Sequence, residues 1–247
     1  MAERLTENAV YALKSRIARS PILIRPLARA RRHGVIVDEG TEVVIEGYPR
    51  SANSFSVVAF EVAQGRRTRI AHHTHAPGHV LAAARMGVPT IVLARDPADA
   101  VLEFLLVRPR LGLGVALRGY LRFYEPLLGR DGFVVGPFPE VTTDFGAVMR
   151  RLNERFGTGF VPFEHTPENV QTCFDAMQRH WEERTGGGSE LERRVGRPSE
   201  VREEMKRELR PALDAPEPRA LLVEARGLHR AFTGGGPLGS ATPEEES

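Results

Sequence analysis

The sequence predicts an α/β fold of three layers, α/β/α, around a mostly parallel sheet. Three observations carry this. Short apolar runs alternate with helix-length segments from Glu42 onward. The runs are continuously apolar, as strands covered on both faces are. The chain has 247 residues, of which 41% are hydrophobic and 27% charged, which suits one well-cored domain and disfavours disordered, collagenous and membrane-spanning classes.

Before the first strand, residues 7–32 form a basic stretch in which Lys14, Arg16, Arg19, Arg25, Arg29, Arg31 and Arg32 alternate with Ile17, Ile22, Leu23, Ile24 and Leu27, broken by Pro21 and Pro26. It reads as an N-terminal helical segment within residues 1–40 that packs its apolar side on the domain, with peripheral contact to an anionic membrane as the alternative. Val43-Val44-Ile45 is the first strand, followed by a helix from Ser54 to Gln64. Arg69-Ile70 and a helix from Gly78 to Met86 come next, then Thr90 to Leu93 and a helix from Pro97 to Val107. Gly132 to Val135 reads as a fourth strand. The following helix starts near Thr143 or Asp144, repeats Val148, Leu152 and Phe156, and stops at Gly157.

Pro167 opens a helix with Val170, Cys173, Phe174, Met177 and Trp181 on one face, read as core, and Gly186 to Ser189 reads as a flexible loop. A charged helix from Ser199 to Leu209 and an apolar one from Arg219 to Phe232 complete a single domain, 1–232, with 233–247 as an unstructured tail.

The net charge of +2 is too small for a nucleic-acid coat, so any anion site must be local. Lys14 and Lys206 are the only lysines, so guanidinium supplies nearly all the positive charge. One cysteine, Cys173, excludes an internal disulfide; with no signal-peptide pattern and no apolar run of membrane length, the expected compartment is the cytoplasm.

The most informative segment is Ile45-Glu46-Gly47-Tyr48-Pro49-Arg50-Ser51-Ala52-Asn53-Ser54-Phe55, at a strand-to-helix turn. Unpaired N–H groups at such a turn, with the helix dipole, make a phosphate site. Small Ser51 and Ala52 admit the anion, Asn53 and Ser54 add hydrogen bonds, and Arg50 adds charge. GxxxxGK[ST] is absent, which weakens a P-loop small-molecule kinase reading.

Pro49 to Phe55 resembles the 5′-phosphosulfate loop of sulfotransferases, P-[KR]-S-G-[TN]-[TS]-[WF], with Ala52 where glycine is usual. Thr90 to Val101, containing Arg95-Asp96-Pro97-Ala98-Asp99, is similar to the family's 3′-phosphate block. Thr74-His75-Ala76-Pro77, 20 residues before Arg95, is similar to its T-H-x-P segment, and Arg194-Val195-Gly196 to its R-x-G loop. Pro198 to Arg202 resembles a segment of bacterial-type members.

The resemblance implies a P-loop-containing sulfotransferase-like fold and transfer of a sulfuryl group from 3′-phosphoadenosine 5′-phosphosulfate to a hydroxyl or amine. The acceptor is a small molecule, carbohydrate or lipid, and no nucleic acid or metal takes part. On that reading His75 is the general base, contributing roughly 10²–10⁴-fold, and Arg50 is catalytic through the leaving group. Arg50, Ser51, Ala52, Asn53 and Ser54 hold the 5′-phosphate, Phe55 stacks on adenine, Arg95 and Arg194 hold the 3′-phosphate, and Val195 and Gly196 close over the nucleotide.

Glu103 departs from the pattern, since the family usually has serine there, and a carboxylate beside a phosphate needs a guanidinium to neutralise it. That departure raises the alternative of a non-catalytic nucleotide- or sulfate-binding protein. His72, His73, His75 and His79 are too closely spaced along a strand for a metal cluster. Glu140 reads as a structural pairing residue, and Tyr120, Phe123 and Tyr124 fit either packing or an acceptor cleft.

Overall fold

Each predicted strand forms, and the four pair in parallel. The computed structural model describes residues 2–22, 35–185 and 188–234. In chain order these fold as α1 (Ala2–Ile17), β1 (Val43–Gly47), α2 (Asn53–Gln64), β2 (Ile70–His72), α3 (Pro77–Arg85), β3 (Thr90–Ala94), α4 (Pro97–Val107), α5 (Leu113–Tyr124) and β4 (Val134–Pro137). Then come α6 (Phe138–Val141), α7 (Phe145–Phe156), α8 (Pro167–Thr185), α9 (Gly188–Arg194), α10 (Glu200–Leu209) and α11 (Pro216–Phe232).

The sheet order is β2-β1-β3-β4, with Ile45 opposite His72 on one side of β1 and opposite Ile91 on the other. The chain therefore leaves β1 in one direction and returns to the opposite side of it. Right-handed crossovers convert that reversal into helices on both faces. Phe55, Ala59 and Phe60 of α2 pack with Ile45, Ile91 and Leu93, together with α7 and α8, whereas Val80 of α3 packs with Val92 and with α4, α5 and α11. These are the three layers. The reversal also opens a crevice beyond the carboxyl ends of β1 and β3, the usual ligand position in such sheets.

Local rules account for the helix ends. Asp96 caps α4 by accepting from the N–H groups of Ala98 and Asp99, and Asp144 caps α7 by accepting from Ala147 N–H. Gly157 ends α7 at φ 64°. Glu140 forms a surface pair with Arg151 (2.8 Å), as expected.

Other expectations shift. The fourth strand starts at Val134 rather than Gly132, because Gly132 adopts φ 93° against Ala84 and belongs to the preceding turn. Gly188 and Ser189, expected in a loop, begin α9; Gly186 and Gly187 lie outside the described residues, as do Leu23, Ile24, Arg25, Leu27, Arg29, Arg31 and Arg32 and the tail from Gly235. α1 does not bury its aliphatic side. It packs through Tyr11 on Phe104 (5.6 Å between rings), while Leu5, Val10 and Leu13 stay exposed. Tyr120, Phe123 and Tyr124 are core residues. Cys173 is buried, and burial pushes its thiol up to about 11. No described helix is long and apolar enough to cross a membrane.

Candidate functional site

The loop after β1 and the loop after β2 meet at the crevice. Among the described residues, four non-glycines have φ in the left-handed region: Arg50 (70°) and Ala52 (69°) in the first loop, His73 (58°) and His75 (49°) in the second. Each such residue costs about 1–3 kcal/mol and persists only where the surroundings over-determine it, a pattern typical of functional loops. All four line one cleft of about 1940 Å³. Pockets for one drug-sized ligand run to about 1,000 Å³, so this open cleft is larger than a single-ligand pocket.

Ala52 precedes α2 without any side-chain cap. The first amides of α2 are left for a ligand, at the positive end of the helix dipole. Buried tyrosines tie the loop to the end of β3 and to α5, with Tyr48 N–H donating to Tyr124 Oη (3.4 Å). Tyr124 donates to Leu93 O (2.8 Å), Tyr120 donates to Arg95 O (2.8 Å), and Tyr48 donates to Ala116 O (3.0 Å). Asn53, 4% exposed, donates its side-chain amide to Tyr48 O (3.1 Å), so it braces the loop from within. Ser51 is fully buried beside it. Ser54 Oγ lies 3.0 Å from His73 Nε2.

The second loop is held by Glu46, which sequence reasoning quoted but assigned no role. Its side chain is fully buried and accepts from Thr74 N–H (2.7 Å), His75 N–H (3.1 Å) and His79 Nδ1–H (3.1 Å). Val37 N–H donates to His79 Nε2 (2.9 Å), which places the ring proton of His79 on Nδ1. Burial alone would raise the Glu46 carboxyl, but His79, then His75 and the hydrogen bond from Thr74, bring it to about 2. His75 Nδ1 lies 2.8 Å from Gly47 O. A carbonyl only accepts, so Nδ1 carries the proton and Nε2 keeps its lone pair, the tautomer a general base needs.

His73 is pushed down to about 3 by burial and then by His75 and His72 beside it. His72 and His73 bond to each other through Nδ1 (2.5 Å), and among the described residues no group of three or more metal-ligating side chains converges.

The opposite wall is cationic. Arg50 donates to Arg194 O (2.9 Å) and pairs with Glu103 (3.4 Å). Glu103 is buried and is also met by Arg202 and by Lys206 (3.3 Å). Three cations face two carboxylates there, the buried Glu103 and the exposed Glu203 that also pairs with Lys206 (2.5 Å), which leaves one positive charge over. Burial, then Arg95 nearby, lowers Arg50 to about 10; burial, then Arg50 and Arg95, lowers Arg202 to about 9. Mutual repulsion of this kind is relieved by an anion.

Other expected site residues play parts the motif did not specify. Arg95 donates to Arg50 O (3.0 Å) and lies over the Phe138 ring at 4.1 Å, so it shapes the loop directly. The Arg194 side chain pairs with Glu190 (2.6 Å) and sits 5.4 Å from the Trp181 ring. Val195 is buried, and its carbonyl accepts from Arg202. Gly196 lies against Met177 and Arg50.

Phe55 is 5% exposed and packs with Phe163, His165 and Phe174 at 6.1, 5.9 and 5.9 Å. It is a core residue at the cleft wall, and stacking on a base would require those neighbours to part. Trp181, expected in the core, is half-buried and lines the cleft. Arg202 and Lys206 were absent from the expected site. The visible signal was Lys206 itself, one of only two lysines in an arginine-rich chain.

The cleft thus combines an uncapped helix N-terminus, a cationic wall and an imidazole with a free nitrogen. No family model matches the chain, and no curated protein matches it.

Proposed function

We propose that this chain is a sulfotransferase of the P-loop-like type, moving a sulfuryl group from 3′-phosphoadenosine 5′-phosphosulfate to a hydroxyl or amine. The observation that carries the reading is the His75 tautomer: Nδ1–H is committed to Gly47 O, which frees Nε2 beside a loop built for an anion. The residues fit such a donor in charge, because the four cations Arg50, Arg95, Arg202 and Lys206 outnumber the two carboxylates of the same wall, Glu103 and Glu203. They fit it in space as well, because the cleft is larger than a single-ligand pocket.

The donor supplies an activated sulfuryl group. His75 Nε2 takes the acceptor's proton as the acceptor oxygen or nitrogen bonds to sulfur. The sulfur–oxygen bond to the 5′-phosphate breaks, and its electron pair stays on the phosphate. Arg50 faces the charge that grows there, and the amides at the start of α2 hold the phosphate. Trp181 lines the same cleft, with Arg194 5.4 Å from its ring.

Titration calorimetry with adenosine 3′,5′-bisphosphate tests the nucleotide site, and saturation should raise the melting temperature by mass action. Absence of binding at millimolar nucleotide would overturn the proposal. One observation favours a second reading, a non-catalytic nucleotide- or sulfate-binding protein: Arg50 is already engaged by Arg194 O and Glu103. Binding without transfer across a broad acceptor screen would select it.

A further inference from the structure

We propose that α1 docks this protein on an anionic membrane surface. A surface helix ordinarily buries its aliphatic stripe and shows its polar side to water. In α1 the arrangement is reversed. The side that packs is polar and aromatic: Asn8 Oδ1 accepts from Gly112 N–H (2.8 Å), Ser15 Oγ accepts from Arg122 (3.1 Å), and Tyr11 fills the space over Gly119. The side that faces out carries Leu5 (61% exposed), Val10 (42%) and Leu13 (59%), and Ile22 beyond the helix is 80% exposed. Leu5, Ala9 and Leu13 follow one another at four-residue intervals and share a face.

Charge selects the occupant. The acids of α1 are engaged, Glu3 by Arg110 (3.2 Å) and Glu7 by Arg108 (2.7 Å). Lys14 and Arg16, at the other end of the helix, have no carboxylate within 4.0 Å among the described residues, and Arg19 follows them, with Glu125 at 3.5 Å. Uncompensated cations bordering an aliphatic stripe match phosphate headgroups above acyl chains. The sequence past Ile22 repeats the same alternation, Leu23-Ile24-Arg25-Pro26-Leu27-Ala28-Arg29.

One edge of this surface borders the cleft. Val10 and Lys14 line it, and Ala18 O accepts from Gly78 N–H (2.9 Å), three residues after His75. Docking brings the cleft mouth to the headgroup layer, where an acceptor hydroxyl carried on a lipid can enter; this last step alone rests on the transfer reading.

The test is flotation of the full chain with vesicles of phosphatidylcholine alone and of phosphatidylcholine mixed with phosphatidylglycerol, at low and high salt. The protein should float with the mixed vesicles at low salt, stay behind with the neutral ones, and be released by high salt. Lys14→Gln with Arg16→Gln should weaken binding about five-fold per cation. Leu5→Ser with Leu13→Ser should weaken it about ten-fold per leucine.

Wild-type protein left unfloated under every condition, or a leucine variant that floats like wild type, overturns the proposal. So does either competing cover. A second copy on the stripe would show as a dimer by light scattering that the leucine variant dissociates, without flotation. The chain's own segment 23–34 on the stripe would show as a lowered melting temperature of that variant, again without flotation. The melting shift with adenosine 3′,5′-bisphosphate, measured on the leucine variant, keeps failure of docking apart from failure of the nucleotide site.

Discussion

Two buried carboxylates flank the cleft, and they are satisfied by opposite means. Glu46 takes its hydrogen bonds from two backbone amides of the β2–α3 loop and from an imidazole in the first turn of α3, a fixed set of donors on one short stretch of chain. Glu103 is surrounded by Arg50, Arg202 and Lys206, side chains from the β1–α2 loop and from α10. The first arrangement sets geometry, because amide donors hold His73 and His75 in a left-handed backbone that neither would choose alone. The second sets charge, because it gathers more cations than one carboxylate can balance. The two carboxylates therefore differ less in burial than in the net charge of their partners.

The largest effect is expected where the Glu46 loop ends. His75→Asn should lower sulfuryl transfer by roughly 10²–10⁴-fold while nucleotide binding and unfolding stay close to wild type, as steady-state rates and calorimetry would read. Full activity in that variant would separate the Glu46 loop from catalysis.

The comparison itself is broken by truncating each acid. Glu103→Ala strands buried cations and should cost about 3–5 kcal/mol in denaturant unfolding. Added sulfate should restore part of that loss by taking the carboxylate's place. Glu46→Ala leaves three donors unpaired and should be similarly destabilised, but sulfate should not help it. Equal rescue of both would end the distinction.

Acid sharpens it further. His73 sits near 3 in the folded protein against an ordinary 6.5, so the unfolded chain binds the extra proton in that window, and stability present above pH 6.5 is lost as pH falls toward 3. Glu46, at about 2 against 4.5, adds loss below pH 4.5 in the same direction. Arg50, at about 10, and Arg202, at about 9, stay charged throughout that window. Lowering the pH to about 5 should cost about 2 kcal/mol through His73, and His73→Gln should flatten that slope in pH-dependent unfolding.

The smallest effect concerns Ala52. Its φ of 69° suits glycine, so Ala52→Gly should stabilise the fold by about 1 kcal/mol, visible as a rise in melting temperature. A loss would show that the alanine methyl is packed to advantage.

Much of the fold was legible because its rules are local. Continuous apolar runs marked the parallel strands, and Asp144 and Gly157 marked the ends of α7 by capping chemistry that acts over a few residues. The shift of β4 from Gly132 to Val134 was hidden, since a glycine's φ depends on what it packs against. The anion-loop composition was visible in Arg50 to Ser54, and His75 stood out with it. Two features were not legible, that Glu46 orders the second loop and that Trp181 reaches the cleft, whereas a core place for Phe55 on its helix was open in the sequence beside the stacking reading.

By itself, the sequence determined the order of strands and helices, the loop suited to an anion and the basic character of the N-terminal segment, because periodicity, capping and local charge are written in neighbouring residues. Only the tertiary structure decided which cations converge on Glu103, since Arg50 and Lys206 are far apart in the chain and meet only when α10 packs on α4. It also decided the tautomer of His75 and the outward turn of the α1 aliphatic face. Each depends on a partner from another element, Gly47 O for the imidazole and α5 for the helix, and no short window of sequence contains both members of either pair.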